Sequence, residues 1–169
     1  MNTLNGEITS ITTEQSISLV KVLAQGHLFH SLVLDAPDTS PWLKEGVPIR
    51  VLFKETEVMI ALPPDPSSLP GSPSPAGATF PLRISVRNQL PCHITAITRG
   101  AILCELTLSL TPSCTTQSAT SHPSAPSVPP PAVTIRSIIT RSACESLGLK
   151  ENLDVIALIK TNEVSLAHD

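Results

Sequence analysis

The side chains of this chain that could do chemistry are mostly hydrogen-bond donors and cations. Ser85-Val86-Arg87-Asn88 precedes an extended apolar segment, Thr140-Arg141-Ser142-Ala143 opens a short helical pattern, and Lys160 ends an apolar run. An oxyanion has only acceptor oxygens, so it is held by backbone N–H groups at a helix start, by hydroxyls, and by Lys or Arg. Each of these residues also has an ordinary reading. Thr140 is a helix cap, Arg87 a surface charge, and Lys160 a strand-end side chain with its ammonium in water. No catalytic arrangement accompanies them: G-x-S-x-G, Walker, H-E-x-x-H and dinucleotide-type glycine motifs are all missing from the sequence. The reading is therefore a binding protein, not an enzyme. His27 and His30 are three apart and on a strand point to opposite faces, so they make no metal site. Cys92, Cys104, Cys114 and Cys144 lack C-x-x-C spacing and read as reduced thiols, with Cys104 and Cys144 packed as small apolar groups.

The elements that position these residues must come from an aliphatic core. Of 169 residues, 41% are hydrophobic, only 2% aromatic and 15% charged, with 17 prolines against 7 glycines. A formal net charge of −3 with so few aromatics argues against a nucleic-acid surface, which needs a basic stripe and stacking rings. No apolar run is long enough to cross a bilayer, and MNTLNGEITSI lacks the features of a signal peptide, so the expectation is a cytoplasmic protein without membrane insertion. Two Pro/Ser-rich stretches, residues 63–82 and 111–132, have no helical or strand periodicity. They are expected to be an interdomain linker and a disordered insertion.

Around these stretches the chain repeats. Asn2 stands six residues before Ile8-Thr9-Ser10-Ile11-Thr12, and Asn88 six before Ile94-Thr95-Ala96-Ile97-Thr98, an offset of 86. Leu43-Lys44-Glu45-Gly46 matches Leu149-Lys150-Glu151-Asn152 at an offset of 106, the change being supplied by the second Pro/Ser stretch. In each copy, short aliphatic and β-branched segments alternate in the period of a strand. The first copy has them at 8–12, 16–23, 27–34, 49–54 and 58–62, and the second at 92–97, 101–110, 133–139, 155–160 and 163–166. A helical turn at 142–147, capped by Thr140 and closed by Gly148, falls between the third and fourth strands. The predicted fold is all-β: two tandem five-stranded Greek-key barrels of the OB-like kind, each with a short helical turn. The first spans residues 1–62 and the second 83–167. Units this small need each other or an oligomer for stability.

Three motifs then resemble a known family, the molybdate-binding domains of the Mop or molbindin type, also called TOBE domains. Ser85-Val86-Arg87-Asn88-Gln89-Leu90 is similar to the family's S-A-R-N-Q-L opening. Ile139-Thr140-Arg141-Ser142-Ala143 through Leu147-Gly148-Leu149-Lys150 is similar to its I-T-x-x-S-x-x-x-L-G-L-K segment. Val155-Ile156-Ala157-Leu158-Ile159-Lys160 with Val164 and Leu166 is similar to its closing V-x-A-L-I-K-A-x-x-V-x-L. The tandem arrangement resembles the C-terminal region of molybdate-transport ATPases.

The resemblance implies that molybdate, and also tungstate, is bound between barrels of a homo-oligomer, a dimer or a trimer, with no organic cofactor and no cation ligated directly. It assigns Ser85, Val86, Arg87, Asn88 and Lys160 to one side of the anion and Thr140, Ser142 and Ala143 to the other. The role it implies is molybdenum transport, storage or homeostasis; the alternative is a docking module for a molybdate-transport ATPase or a molybdate-responsive regulator. The family's serine three places after the threonine is Ala143 here, and Ser142 stands one place earlier. In the first copy Met1 stands where Arg87 would, Leu34 where Thr140 would and Ala36 where Ser142 would, and only Lys54 matches Lys160. The first barrel is therefore expected to be a packing partner with a degenerate site.

Overall fold

The computed structural model describes residues 1–64, 82–111 and 132–168. The linker and the insertion expected from sequence fall almost wholly outside these residues. The described chain forms β1 (Asn2–Glu14), β2 (Ile17–Ala24), β3 (His27–Val33), β4 (Pro48–Phe53), β5 (Met59–Ala61), β6 (Asn88–Arg99), β7 (Leu103–Leu110), β8 (Thr134–Thr140), α1 (Arg141–Ser146), β9 (Asp154–Ile159) and β10 (Ser165–Ala167). It is all-β, as the sequence predicts, with two five-stranded antiparallel sheets.

Strand β2 illustrates why these segments extend. Ser18, Val20, Val22 and Ala24 are buried, while Ile17, Leu19, Lys21 and Leu23 lie on the other face. Its hairpin to β3 turns at Gln25-Gly26, both with positive φ (51° and 81°), the conformation whose twist matches that of paired strands. The long strands β1 and β6 run further toward the N-terminus than the sequence pattern suggests. Asn2-Thr3-Leu4-Asn5-Gly6 has no β-branched run, yet it is held by pairing with β4, from Asn2 opposite Phe53 to Glu7 opposite Pro48. Both long strands carry a register shift at the same repeat position, between Ile8 and Ser10 and between Ile94 and Ala96. Such a bulge bends a strand, letting one half pair with β4 or β9 and the other with β2 or β7.

The sheets exchange their last strands. One has the order β10-β4-β1-β2-β3 and the other β5-β9-β6-β7-β8. Sequence reading gives each copy its own fifth strand, but Met59–Ala61 pairs with β9 and Ser165–Ala167 pairs with β4. Each exchanged strand is only three residues long, and periodicity alone does not reveal which sheet edge will receive it. Further bonds repeat across the pseudo-twofold. Asn2 Nδ2 donates to Arg136 O (2.9 Å) and its Oδ1 accepts from Arg136 N (2.7 Å). Asn88 does the same with His30 O (2.9 Å) and His30 N (2.7 Å). Ser31 Oγ donates to Val164 O (2.5 Å) and Ser137 Oγ to Val58 O (2.7 Å). The core is aliphatic apart from Cys92, Cys104 and Cys144 and the rings of Phe29 and Phe53, stacked with centroids 5.9 Å apart.

Candidate oxyanion site

Ser85, Val86 and Arg87 lie in the segment leading into β6, with Ser85 and Arg87 exposed and Val86 half-buried. Gln89 folds this segment back on itself. Its Oε1 accepts from Leu82 N (2.6 Å), and its Nε2 donates to Leu82 O (3.0 Å) and Val86 O (2.9 Å). Sequence reading assigns Gln89 no role; its place in the S-x-R-N-Q-L run is the one signal that pointed to it. Asn88 is fully buried and spends its amide on the His30 backbone, so it fixes the direction of Arg87 from inside the junction. Asn88 pairs with Ile159 at the end of the β6–β9 ladder, and Arg87 and Lys160 are the next residues beyond it on the two strands. Lys160 is exposed and begins a 3-10 turn, Thr161–Glu163.

The other residues gather at α1. Helix α1 spans Arg141–Ser146, one residue earlier than the pattern predicts at each end, and Thr140 caps it: its Oγ1 accepts from Ala143 N (3.2 Å). Arg141 N donates to Ile102 O (2.8 Å), and Gly148 ends the turn at a φ of 60°. Ala143 N–H is thus used by the cap. The Thr140 hydroxyl proton and the N–H and hydroxyl of Ser142 are the donors this turn has to offer, because first-turn N–H groups lack intrahelical acceptors. Arg141 is drawn along the helix into an ion pair with Glu145 (2.7 Å), which raises the guanidinium pKa further.

One chain does not bring these two groups together. Thr140 pairs with Leu103, beside the turn that follows Arg99 at the end of β6, whereas Arg87 precedes the start of β6. The twelve residues of β6 lie between them along the strand. The molecule therefore carries two groups of donors at opposite ends of β6: cations and a folded-back loop at one end, and hydroxyls on a helical turn at the other.

The first unit carries different residues at the positions corresponding to both groups. Where the second has Thr140-Arg141-Ser142, the first has Leu34-Asp35-Ala36, and the Asp35 carboxylate accepts from Ala36 N (2.8 Å), Thr39 Oγ1 and Ser40 Oγ. Those bonds, from Ser40 first, then Thr39 and Ala36, hold the Asp35 pKa below its ordinary value. An internal carboxylate thus occupies the donors that a bound anion would need. Among the described residues, no group of three or more His, Cys, Asp or Glu could hold a metal ion, and no helix is long and apolar enough to cross a membrane. The described cysteines Cys92, Cys104 and Cys144 are free and buried.

No family model matches the chain, and no curated protein matches it. Among solved structures it is similar to the cytoplasmic molybdate-binding protein ModG in a crystal form with molybdate bound. That match has a TM-score of 0.72 and 22% identity, and covers 99% of this chain and 96% of the other. At this identity the likeness shows the fold.

Proposed function

We propose that this chain is a molybdate-binding protein that holds the oxyanion between barrels of neighbouring copies. The observation that carries this reading is the likeness, over 99% of the chain, to a protein crystallised with molybdate. The chemistry of the two groups of donors supports it. Molybdate at neutral pH is a tetrahedral dianion without a proton, so it needs donors on every side and a compensating cation. Ser85, the Val86 N–H, Arg87 and Lys160 supply one side, with Asn88 holding Arg87 in place. Thr140 and Ser142, on the turn that Ala143 N–H helps to cap, supply the other from a second copy, since the two groups lie at opposite ends of β6 in one chain. A site with donors alone rejects protonated phosphate, which needs an acceptor, and cavity size separates molybdate or tungstate from sulfate. No covalent step and no organic cofactor enter this reading. The working division is a first unit (1–62) that packs, a linker (63–82) and a second unit (83–167) that binds, in the cytoplasm, for molybdenum transport, storage or homeostasis.

Calorimetric titration with molybdate, with sulfate and phosphate as controls, tests the proposal, and native mass spectrometry gives the stoichiometry. The expected result is micromolar or tighter molybdate binding, lost in Lys160→Ala, in a homo-oligomer. Absence of heat and of a mass shift in folded, anion-free protein would overturn it.

A further inference from the structure

The pseudo-twofold relation allows one junction to serve as the control for the other, and one is charge-balanced while the other is not. At the junction where Asn2 grips β8, Arg136 lies 3.8 Å from Glu55 and 3.6 Å from Glu105, and the Met1 amino group also meets Glu55. The cations there are matched by carboxylates. At the junction where Asn88 grips β3, His30 takes the place of Arg136, Leu19 that of Glu105, Thr161 that of Glu55 and Arg87 that of Met1, while Lys21 replaces Thr107. Lys21 stands directly opposite His30 across the β2–β3 pair, just as Thr107 stands opposite Arg136 across the β7–β8 pair. The substitutions remove both carboxylates and add a lysine. Among the described residues, neither Lys21 nor Arg87 makes an ion pair with a carboxylate.

Two further observations point to a ligand. His30 Nδ1 is buried and has no hydrogen-bond partner among the described residues. The pairs flanking Lys21 and His30 on the outer face are Leu19 with Leu32 and Leu23 with Leu28, of which Leu23, Leu28 and Leu32 are exposed, so these cations sit on an apolar stretch of surface without a carboxylate. Uncompensated like charges beside an apolar surface cost folding free energy unless an anion joins them.

We propose that Lys21 and His30 of the first unit, together with Arg87, form a cationic recess that binds the oxyanion from within the same chain, on the Arg87 side of the site. This inference rests on the molybdate reading above and adds a role for the first unit: it is a contributor of positive charge as well as a packing partner. Burial first, then Lys21, and last Arg87 push the His30 pKa below its ordinary value, with the Asn88 amide acting the other way, which places Lys21 and Arg87 within electrostatic reach of the same imidazole.

The test is calorimetric titration of the full chain with sodium molybdate at neutral pH. Lys21→Glu is expected to weaken binding about tenfold or more and His30→Gln roughly threefold, while Lys21→Arg stays near wild type. Lys44→Glu, the same change of charge at an exposed lysine outside the three residues of the recess, controls for the overall field and should have little effect. If Lys21→Glu does not fold, as judged by its thermal transition, Lys21→Met replaces it with the same expected direction. Wild-type binding that is unchanged within twofold in both Lys21 and His30 variants overturns this inference and leaves the molybdate reading intact. Absence of binding in the wild type overturns both.

Discussion

Two asparagines occupy the same position in the two copies, and each closes a junction with a pair of bonds to a neighbouring backbone. Asn88 is fully buried, so truncating it leaves the His30 N–H and C=O unsatisfied in a dry junction. Asn88→Ala is expected to cost about 2 kcal/mol, read as a lowered urea midpoint, because unpaired buried polar groups carry their full desolvation penalty. Sequence reading placed Asn88 among the anion ligands because it sits in the S-x-R-N run; that its amide faces inward depends on a partner strand 58 residues away. The histidines give a pH dependence. Burial lowers the pKa of His27, and burial with Lys21 and Arg87 lowers that of His30. An unfolded chain takes up these protons near pH 6.5 while the folded chain does not, so anion-free protein should lose stability as pH falls from 7.5 to 5.5. His93 acts in the opposite sense, since Asp154 raises its pKa, but that pair is exposed and screened. Thermal transitions across this range should slope downward toward acid, and more gently in His27→Gln.

At the level of elements, the helical turn was legible because its signals are local: Thr140 as cap, Cys144 and Leu147 on the apolar side, and Gly148 at the positive φ that ends it. The first-unit counterpart was legible only as a loss of Thr and Ser. That Asp35 fills the turn with an internal carboxylate emerges from the geometry of Ala36, Thr39 and Ser40. At α1 the cap and the proposed anion contact use different parts of one hydroxyl: Thr140 Oγ1 accepts from Ala143 N, and its proton remains to donate. Thr140→Ser should therefore keep both stability and molybdate binding. Thr140→Val loses the cap, at about 1 kcal/mol of stability, and loses the hydroxyl donor as well. Thr140→Asp separates the two roles. It retains a capping oxygen, so thermal stability should stay near wild type, while its negative charge should abolish molybdate heat. Binding that survived in Thr140→Asp would remove this turn from the site.

The whole molecule is tied together by exchange, which sequence periodicity does not reveal. The motifs found the strands and their order, but β5 and β10 are three-residue segments whose pattern fits either sheet edge. Ser31 and Ser137 bond Val164 and Val58, each the residue just before an exchanged strand, and so help to seat that strand on its edge. A fragment of residues 1–64 then holds four strands of one sheet and a fifth strand that belongs to the other, and residues 82–169 have the complementary defect. Neither fragment can satisfy its β4 or β9 edge alone. Each leaves apolar side chains such as Val58 and Val164, both 2% exposed or less in the intact chain, without their seats. Expressed separately, each fragment should show no cooperative thermal transition. Expressed together, they should copurify as a one-to-one complex with a single transition, because the exchanged strands and the two asparagine clamps cross between them without needing the connecting chain. Two independently folding fragments would mean that the exchange contributes little to stability, and that each sheet can close with the strand nearest to it in sequence.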